Sequence, residues 1–266
     1  MAIDLSSIKT GVRIKPPKVC VYGVGGIGKT TFAAGAPNPI FMFTEEGQGL
    51  LDVPRFEPAE NDPVFRTWQQ MIEACQVLHG EDHNFGTVVL DTLDFSEPLL
   101  WRYTSTRYGK EDIEAFGYGK GYGYAVDEAR VLFDWFDALR RDRQMAVVIL
   151  AHSKVRRFES PDAESYDRYQ LDVHERLASH VHSWCDALMF ANYKAHVVKD
   201  KEEFNKERRR ATGTGERVLY TEERPSYWAK NRYGLPSELP LQWSAFQNAI
   251  AAPTPQPQPE TAEKKG

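Results

Sequence analysis

The sequence has few cysteines, and no spacing pattern connects them. Three occur in 266 residues, far apart and without a C-x-x-C pair, at Cys20, Cys75 and Cys185. An odd number at such spacing argues against a disulfide framework and against a cysteine zinc site. We therefore expect a reducing compartment, the cytoplasm.

Long hydrophobic runs are also missing from the sequence. No stretch approaches the ~20 apolar residues that a membrane-spanning helix needs. The opening residues, MAIDLSS, lack the basic region and the apolar core of a secretion signal. We expect no association with a membrane, and we find no internal repeat.

An excess of positive charge is absent as well. The chain carries 33 Lys and Arg against 38 Asp and Glu, for a net charge of −5. This excludes a globally basic nucleic-acid-binding surface, although a local basic face can still follow a phosphate backbone. The hydrophobic content of 41% and charged content of 27% are typical of a globular protein with one sizeable core.

A glycine-rich run near the start is the strongest motif. GVGGIGKT fits the G-x-x-x-x-G-K-[ST] pattern of phosphate-binding loops and lies between a predicted strand and a predicted helix. Lys29 is expected to reach the β- and γ-phosphates of a nucleoside triphosphate, and the Thr30 hydroxyl to bind Mg²⁺. The alternative is a glycine-rich turn that binds no phosphate. The expected nucleotide-binding residues are Gly23, Val24, Gly25, Gly26, Ile27, Gly28, Lys29, Thr30 and Thr31.

Apolar runs and helical periodicities alternate along the chain. Strands are predicted at 18–22, 40–43, 87–90, 146–150 and 187–190, and helices at 30–34, 64–78, 99–108, 126–140 and 171–184. This alternation predicts an α/β fold with a mostly parallel sheet covered by helices. Two further strands, at 195–198 and 217–220, predict a β-hairpin over about 194–222. The expected organisation is a lead-in (1–17), one domain (18–250) and a disordered Pro-rich tail (251–266).

Polar residues follow three of the predicted strands. Asp91 ends an apolar strand in the Walker B manner and is expected to hold Mg²⁺ through water, unless it only caps the next helix. Glu45 is expected to orient the attacking water. A solvated acidic pair is the alternative there, and Glu46 is an alternative base. His152 is placed to sense the γ-phosphate, unless it only bonds to nearby backbone.

The order of these motifs resembles a known family. The loop, then FMFTEEG, VVLDTLD and VILAHSK, is similar to the RecA-like P-loop ATPase core. More narrowly, it resembles the phage nucleotide-binding AAA-domain family that contains the Sak-type single-strand annealing proteins. The resemblance spans about residues 15–245 and implies ATP with Mg²⁺. It also implies catalysis by Glu45 and coupling of ATP to a DNA-binding loop by His152.

The segment AKNRYG adds to this resemblance. It is similar to the Lys-Asn-Arg-Phe-Gly motif of RadA-type proteins and to the Lys-x-Arg fingers of replicative helicases. In those relatives the two cations reach the ATP of an adjacent subunit, which implies the same role for Lys230 and Arg232. These two residues are two positions apart, so on an extended segment their side chains project to the same side. A basic surface pair in a turn is the alternative.

Two segments are candidates for binding single-stranded DNA. The run at 116–124 combines glycines, aromatic rings and a lysine, which suits base stacking, although a lid or an oligomer contact is an alternative. The run at 153–158 carries three cations and follows His152, and a solvated basic turn is its alternative. A third basic cluster, at 206–210, is interleaved with glutamates and is expected to be a solvated charge run. The candidate DNA-binding residues are Lys120, Tyr122, Lys154, Arg156 and Arg157.

These observations predict a P-loop ATPase that acts as a recombinase or annealing protein on single-stranded DNA. Its implied partners are single-stranded DNA, further copies of the chain in a ring or filament, and a single-strand-binding protein. A helicase-like motor or loader and a nucleotide-dependent protein-binding switch remain alternatives. The pair His180 and His182 is not expected to bind metal, because positions i and i+2 of a helix do not share a face.

Overall fold

The computed structural model describes residues 4–11, 15–46, 51–159, 164–200 and 208–251. The predicted Pro-rich tail lies outside this part of the chain, except for its first residue, Ala251, which ends a helix. Residues 201–207 at the predicted hairpin tip also lie outside it.

Helices and strands alternate through most of the described chain. The strands are β1 (Lys18–Gly23), β2 (Pro39–Phe43), β3 (Thr87–Asp91), β4 (Ala146–Phe158), β5 (Tyr166–Leu171), β6 (Ala187–Asp200), β7 (Arg208–Tyr220), β8 (Lys230–Asn231) and β9 (Glu238–Pro240). The helices are α1 (Lys29–Ala34), α2 (Trp68–Gly80), α3 (Leu93–Arg107), α4 (Lys120–Asp142), α5 (Glu175–Trp184) and α6 (Trp243–Ala251). Short 3₁₀ helices span Leu5–Ser7 and Glu114–Phe116.

The described strands form one sheet with the order β2-β3-β4-β1-β6-β7-β9. Strands β2, β3, β4, β1 and β6 are mutually parallel, and β7 pairs with β6 in the antiparallel sense. Strand β5 pairs with β4, and β8 with the start of β6, also antiparallel. The predicted α/β class, with a mostly parallel sheet and an antiparallel C-terminal hairpin, is confirmed.

Both faces of the sheet are buried, which explains the continuous apolar runs of its strands. Along β1, Cys20 and Tyr22 pack into a core formed with α2, α3, α4 and α5. The alternate residues Val19 and Val21 pack on the other face against α1 and α6. Because the five central strands run parallel, their carboxyl ends meet at one edge of the sheet, where a ligand site is expected.

The predicted end of the fourth strand at 150 was wrong, because residues 151–158 continue β4. Lys154 lies opposite Gln170 and Arg156 opposite Arg168 in the antiparallel pairing with β5. Strand β5 also occupies the start of the segment predicted as a helix from Leu171, and α5 begins only at Glu175. Strand β4 extends this far because the next segment of the chain, β5, pairs with it in the antiparallel sense.

The second half of the glycine-rich run at 116–124 is helical, because α4 begins at Lys120 rather than at Val126. One glycine of the run allows close packing. A Cβ on Gly121 would lie 2.2 Å from the Ile113 carbonyl oxygen, so no larger residue fits there. Gly121 therefore places the first turn of α4 against the preceding segment.

Two further boundaries differ from the prediction. Helix α3 begins at Leu93, directly after β3, and not at Leu99. The separate strands predicted at 187–190 and 195–198 are one continuous strand, β6, whose pairing with β7 shifts at Tyr193. In the described residues, no helix is long and apolar enough to cross a membrane.

Candidate functional site

The glycine-rich loop connects the end of β1 to the start of α1. Gly28 precedes α1 with φ 107°, a left-handed conformation that glycine adopts without strain. A Cβ on Gly23 would lie 2.2 Å from the Ala191 carbonyl oxygen of β6. Ile27, between them, is fully buried and anchors the loop in the core. Val24, Gly25 and Gly26 complete the turn, and Thr31 follows in α1.

A cavity of about 370 Å³ opens between this loop and the ends of the neighbouring strands. Its lining residues are Gly26, Gly28, Lys29, Thr30, Thr31, Glu45, Leu51, Asp91, Thr92 and His152. The structure thus brings together residues of the loop with Glu45 after β2, with Asp91 and Thr92 at the end of β3, and with His152 within β4.

Lys29 is 6% exposed and points back into the loop. Its Nζ donates hydrogen bonds of 3.1 Å to the carbonyl oxygens of Gly23 and Val24. Burial lowers the pKa of the Lys29 ammonium, while the carboxylates of Asp91, Asp94 and Glu45 oppose that shift. Phosphate oxygens are stronger partners for an ammonium than carbonyls, so the geometry suits binding of an anion.

Asp91 and Thr30 form a pair at the bottom of the cavity. The Thr30 hydroxyl donates a 2.8 Å hydrogen bond to Oδ2 of Asp91. Burial raises the pKa of Asp91 to about 6, and the Thr30 hydrogen bond limits the rise. A hydroxyl and a carboxylate are hard oxygen ligands of the kind that Mg²⁺ prefers. The residues present therefore fit a Mg²⁺ site between Thr30 and Asp91.

The two candidate bases after β2 have different surroundings. Glu45 is half-buried and lines the cavity. Glu46 is exposed, and its Oε1 lies 3.1 Å from Nη2 of Arg66 in an ion pair on the outside of the protein. This geometry favours Glu45 over Glu46 as the residue that faces a bound phosphate.

His152 is held by a carboxylate that the sequence reasoning did not assign to the site. Oδ2 of Asp94 lies 2.8 Å from Nδ1 of His152, and Oδ1 accepts a 2.8 Å hydrogen bond from the His152 backbone. The bond to Asp94 raises the pKa of His152. Burial alone would raise the pKa of Asp94, but the bonds from His152 outweigh it and the pKa is lowered. Asp94 thus orients the imidazole at the cavity.

Comparison with known proteins now identifies the family. A family model described as an AAA domain (AAA_24) matches residues 15–233, most of the chain. The chain belongs to this AAA domain family. Among solved structures, 108 chains match. One, the crystal structure of the RadB recombinase, has 14% identity and a TM-score of 0.43, over 87% of this chain and 90% of that chain. No curated protein sequence matches.

The AAA domain also presents a buried hydroxyl that sequence reasoning missed. Thr92 is 1% exposed and lines the cavity, and its Oγ1 has no hydrogen-bond partner in the described part of the chain. Its backbone is held by Thr44, whose Oγ1 accepts from the Thr92 N–H at 2.9 Å and donates to the Thr92 carbonyl at 2.6 Å. Because buried polar groups normally find partners, the free hydroxyl suits a ligand in the cavity.

The candidate DNA-binding residues lie outside the cavity and are not equally free. Lys154 is bound by Asp172, at 3.0 Å, and by the Val173 carbonyl, at 2.8 Å. Arg156 is half-buried and Arg157 exposed, both on β4 beyond His152. Lys120 and Tyr122 lie in the first turn of α4.

The ring of Tyr122 is already stacked. Its centroid lies 3.9 Å from that of the His174 ring, and the planes of the two rings are nearly parallel. The Tyr122 hydroxyl donates a hydrogen bond to Glu114. One face of the ring is therefore covered, and the Trp101 ring also contacts Tyr122, edge to face with centroids 5.5 Å apart.

Lys230 and Arg232 lie at the opposite edge of the sheet from the loop. Strand β8 pairs with the start of β6, so Lys230 lies opposite Leu188. Its Nζ donates to the His182 and Ser183 carbonyls at the end of α5, at 2.6 and 2.9 Å. Arg232 is 57% exposed on its side chain and lies 3.5 Å from Asp186. From this edge neither cation reaches the loop of its own chain.

No group of three or more His, Cys, Asp or Glu side chains suited to a metal occurs in the described residues. His180 packs against Phe133 and His182 against Trp228.

The burial of Asp91 leads to a testable prediction about the free energy of unfolding. Because its folded pKa of about 6 lies above the unfolded value, ionisation of Asp91 opposes folding. This cost develops as pH rises from the ordinary pKa of 3.8 to about 6, and above that it is fully present. Asp91→Asn keeps an oxygen acceptor for Thr30 and removes the charge. We expect the variant to gain about 1–3 kcal/mol in free energy of unfolding at about pH 7.5, and almost none at about pH 4.

Urea denaturation in EDTA at both pH values measures this difference. Asp94→Asn is the matched control with the opposite sign. The pKa of Asp94 is lowered, so its ionised form stabilises the fold above its ordinary pKa and this variant should lose stability at neutral pH. A destabilised Asp91→Asn protein at neutral pH would contradict the burial argument.

Proposed function

We propose that this AAA domain protein is an ATP-hydrolysing recombinase or annealing protein of the phage type, oligomeric on single-stranded DNA. The observation that carries ATP hydrolysis is the convergence on one cavity of Lys29, the Thr30–Asp91 pair, Glu45 and His152. A phosphate-binding site alone needs only the loop. Glu45 lines the same cavity, and its carboxylate adds a group that can orient water.

Each residue has a part in the proposed reaction. Thr30 and Asp91 would hold Mg²⁺, which neutralises charge on the β- and γ-phosphates when bound. Lys29 would bind the same phosphate oxygens, and Glu45 would accept a hydrogen bond from the water aligned with the γ-phosphate. His152, kept in place by Asp94, would donate a hydrogen bond to the γ-phosphate.

The link to DNA rests on the continuity of β4. His152 contacts the cavity, and Arg156 and Arg157 follow it on the same strand, in the hairpin formed with β5. A shift of His152 on γ-phosphate binding would therefore move the backbone that carries both arginines. Cations on a paired strand can follow a phosphate backbone, and that contact would be weakened by salt.

Assembly into a ring or filament is supported by the location of Lys230 and Arg232. They lie on the sheet edge opposite their own loop, and the Arg232 side chain is largely exposed. A second copy whose loop faced this edge would receive both cations. In that arrangement they would stabilise the γ-phosphate charge of the adjacent subunit.

ATPase rate with and without single-stranded DNA tests the proposal, together with annealing of complementary strands. We expect severalfold stimulation of the wild type and a marked loss of that stimulation in Arg156→Ala/Arg157→Ala. Arg130→Ala/Arg141→Ala removes the same charge from the exposed surface of α4 and should keep the stimulation. Directional unwinding would favour a motor or loader. Absence of any DNA effect would favour a protein-binding switch.

A further inference from the structure

A cation from the C-terminal hairpin lies directly against the phosphate loop. Nη1 of Arg217, on β7, is 3.0 Å from the position that a Cβ on Gly28 would occupy, and its Cζ is 4.0 Å from the same point. The Cδ2 atom of Leu241 lies 3.7 Å from it. Gly28 lines the cavity beside Lys29. The guanidinium therefore packs on the loop residue that precedes the site lysine.

An irregularity in the hairpin accounts for this position. Tyr193 lies opposite Arg217, but Ala195 lies opposite Gly213, so residues 214–216 of β7 face Lys194 alone. A bulge of this kind bends a strand and redirects its side chains, often beside a functional site. The backbone of Arg217 is held beyond the bulge, where its carbonyl accepts a 3.2 Å hydrogen bond from Leu241 N–H.

Among the residues that the structure describes, the guanidinium of Arg217 has no carboxylate partner. In the described part of the chain, no ion pair involves its guanidinium, and the side chain is exposed. Lys194, opposite the same bulge, is by contrast paired with Glu238 at 2.8 Å. A free guanidinium beside a phosphate loop is suited to forked hydrogen bonds with phosphate oxygens.

The strand order indicates which part of a nucleotide Arg217 would meet. Strand β1 lies between β4 and β6, so Glu45, Asp91 and His152 all lie on one side of the loop. Arg217, on β7, lies on the other side. The γ-phosphate belongs beside Glu45 and His152, so the nucleoside end of the triphosphate extends toward β7.

On the basis of the proposed function, we propose that Arg217 binds the α- and β-phosphates of the nucleotide held by its own loop. The residue is a cis contact from the hairpin, distinct from the trans contacts proposed for Lys230 and Arg232. Arg217 also connects the bound nucleotide to β7, one of the two strands of the hairpin. Because both phosphates are present in ADP and ATP, Arg217 would strengthen binding of the two nucleotides equally.

Calorimetric titration of the full chain with Mg²⁺-ADP and with a non-hydrolysable ATP analogue tests this inference. We expect Arg217→Ala to raise both Kd values by about tenfold, which is typical for loss of one charge-assisted hydrogen bond. Arg217→Lys keeps the charge and should recover part of the affinity. Lys194→Ala removes a charge from the same hairpin and should stay within about twofold of the wild type.

The outcomes separate this inference from the proposed function. Unchanged Kd values for Arg217→Ala, with normal binding by the wild type, overturn the inference and leave the function standing. An effect on the ATP analogue without an effect on ADP overturns the placement at the α- and β-phosphates. A wild-type chain that binds neither nucleotide overturns the proposed function and this inference with it. Thermal unfolding at the same temperature for all variants shows that each Kd was measured on a folded protein.

Discussion

Lys29→Ala should lower ATP turnover by about 100-fold or more. The ammonium of Lys29 lies within the loop and is the charge nearest to the expected β- and γ-phosphates. Its removal takes away stabilisation of the charge that develops during phosphoryl transfer, an effect of several kcal/mol in buried sites, equivalent to about 100-fold or more. Steady-state ATP hydrolysis and nucleotide titration measure the change.

A lysine at the other end of the same strand provides the control. Lys18 begins β1, pairs with Asp137 at 2.8 Å and lies far from the loop. Lys18→Ala should keep wild-type turnover and lose only a little stability, because the pair is partly exposed. If Lys29→Ala hydrolysed ATP at the wild-type rate, the assignment of the site to this loop would be wrong.

The same variant provides a test of action between subunits. A subunit with Lys29→Ala has intact Lys230 and Arg232, and a subunit with Arg232→Ala has an intact loop. Mixed assemblies of these two inactive proteins should regain part of the activity if Arg232 acts in trans. Arg232→Ala should fold normally, because its contact with Asp186 is a 3.5 Å surface pair. No recovery in assemblies shown to contain both chains would count against the trans role.

Glu45→Gln should lower turnover by about 100- to 1,000-fold while nucleotide binding stays close to that of the wild type. Glutamine keeps the shape of the side chain but cannot accept a proton from water, and general-base catalysis is worth about 10²–10⁴ in rate. Single-turnover hydrolysis measures the chemical step, and calorimetric titration measures binding. The effect should appear in kcat and leave the nucleotide Kd nearly unchanged.

Glu46→Gln is the matched control, since it makes the same change one residue along the chain. Glu46 is on the outside and pairs with Arg66, so its loss should leave turnover within about twofold of the wild type. The opposite result, with Glu46→Gln inactive and Glu45→Gln active, would assign the base to Glu46 and refute the geometry of the cavity.

Local signals in the sequence were sufficient for the loop and for the parallel core. Apolar runs of β-branched residues predicted β1, β2, β3 and the first half of β4, because strands buried on both faces need such runs. The loop motif depends on spacing within eight residues, and its glycines have local backbone reasons. Asp91 and His152 were identified by their position directly after such strands, which any parallel sheet brings to one edge.

Residues that depend on distant partners could not be found in this way. No local pattern assigned a role to Asp94, and its bond to His152 joins positions 58 residues apart. The extension of β4 depends on pairing with β5, and the glycine at position 121 is required by close contact with Ile113. In each case a local pattern had two physical explanations, and a contact from elsewhere in the chain selected one.

The sequence by itself determined that this protein has a glycine-rich loop between a strand and a helix, a parallel α/β core and an acidic strand end, because those features arise from local backbone and burial requirements. Only the tertiary structure decided which glutamate faces the cavity, and it placed the free Thr92 hydroxyl and Arg217 at the site. It also placed Lys230 and Arg232 at the far edge of the sheet. These outcomes depend on strand order and on a bulge between β6 and β7, which bring together residues that no local pattern connects.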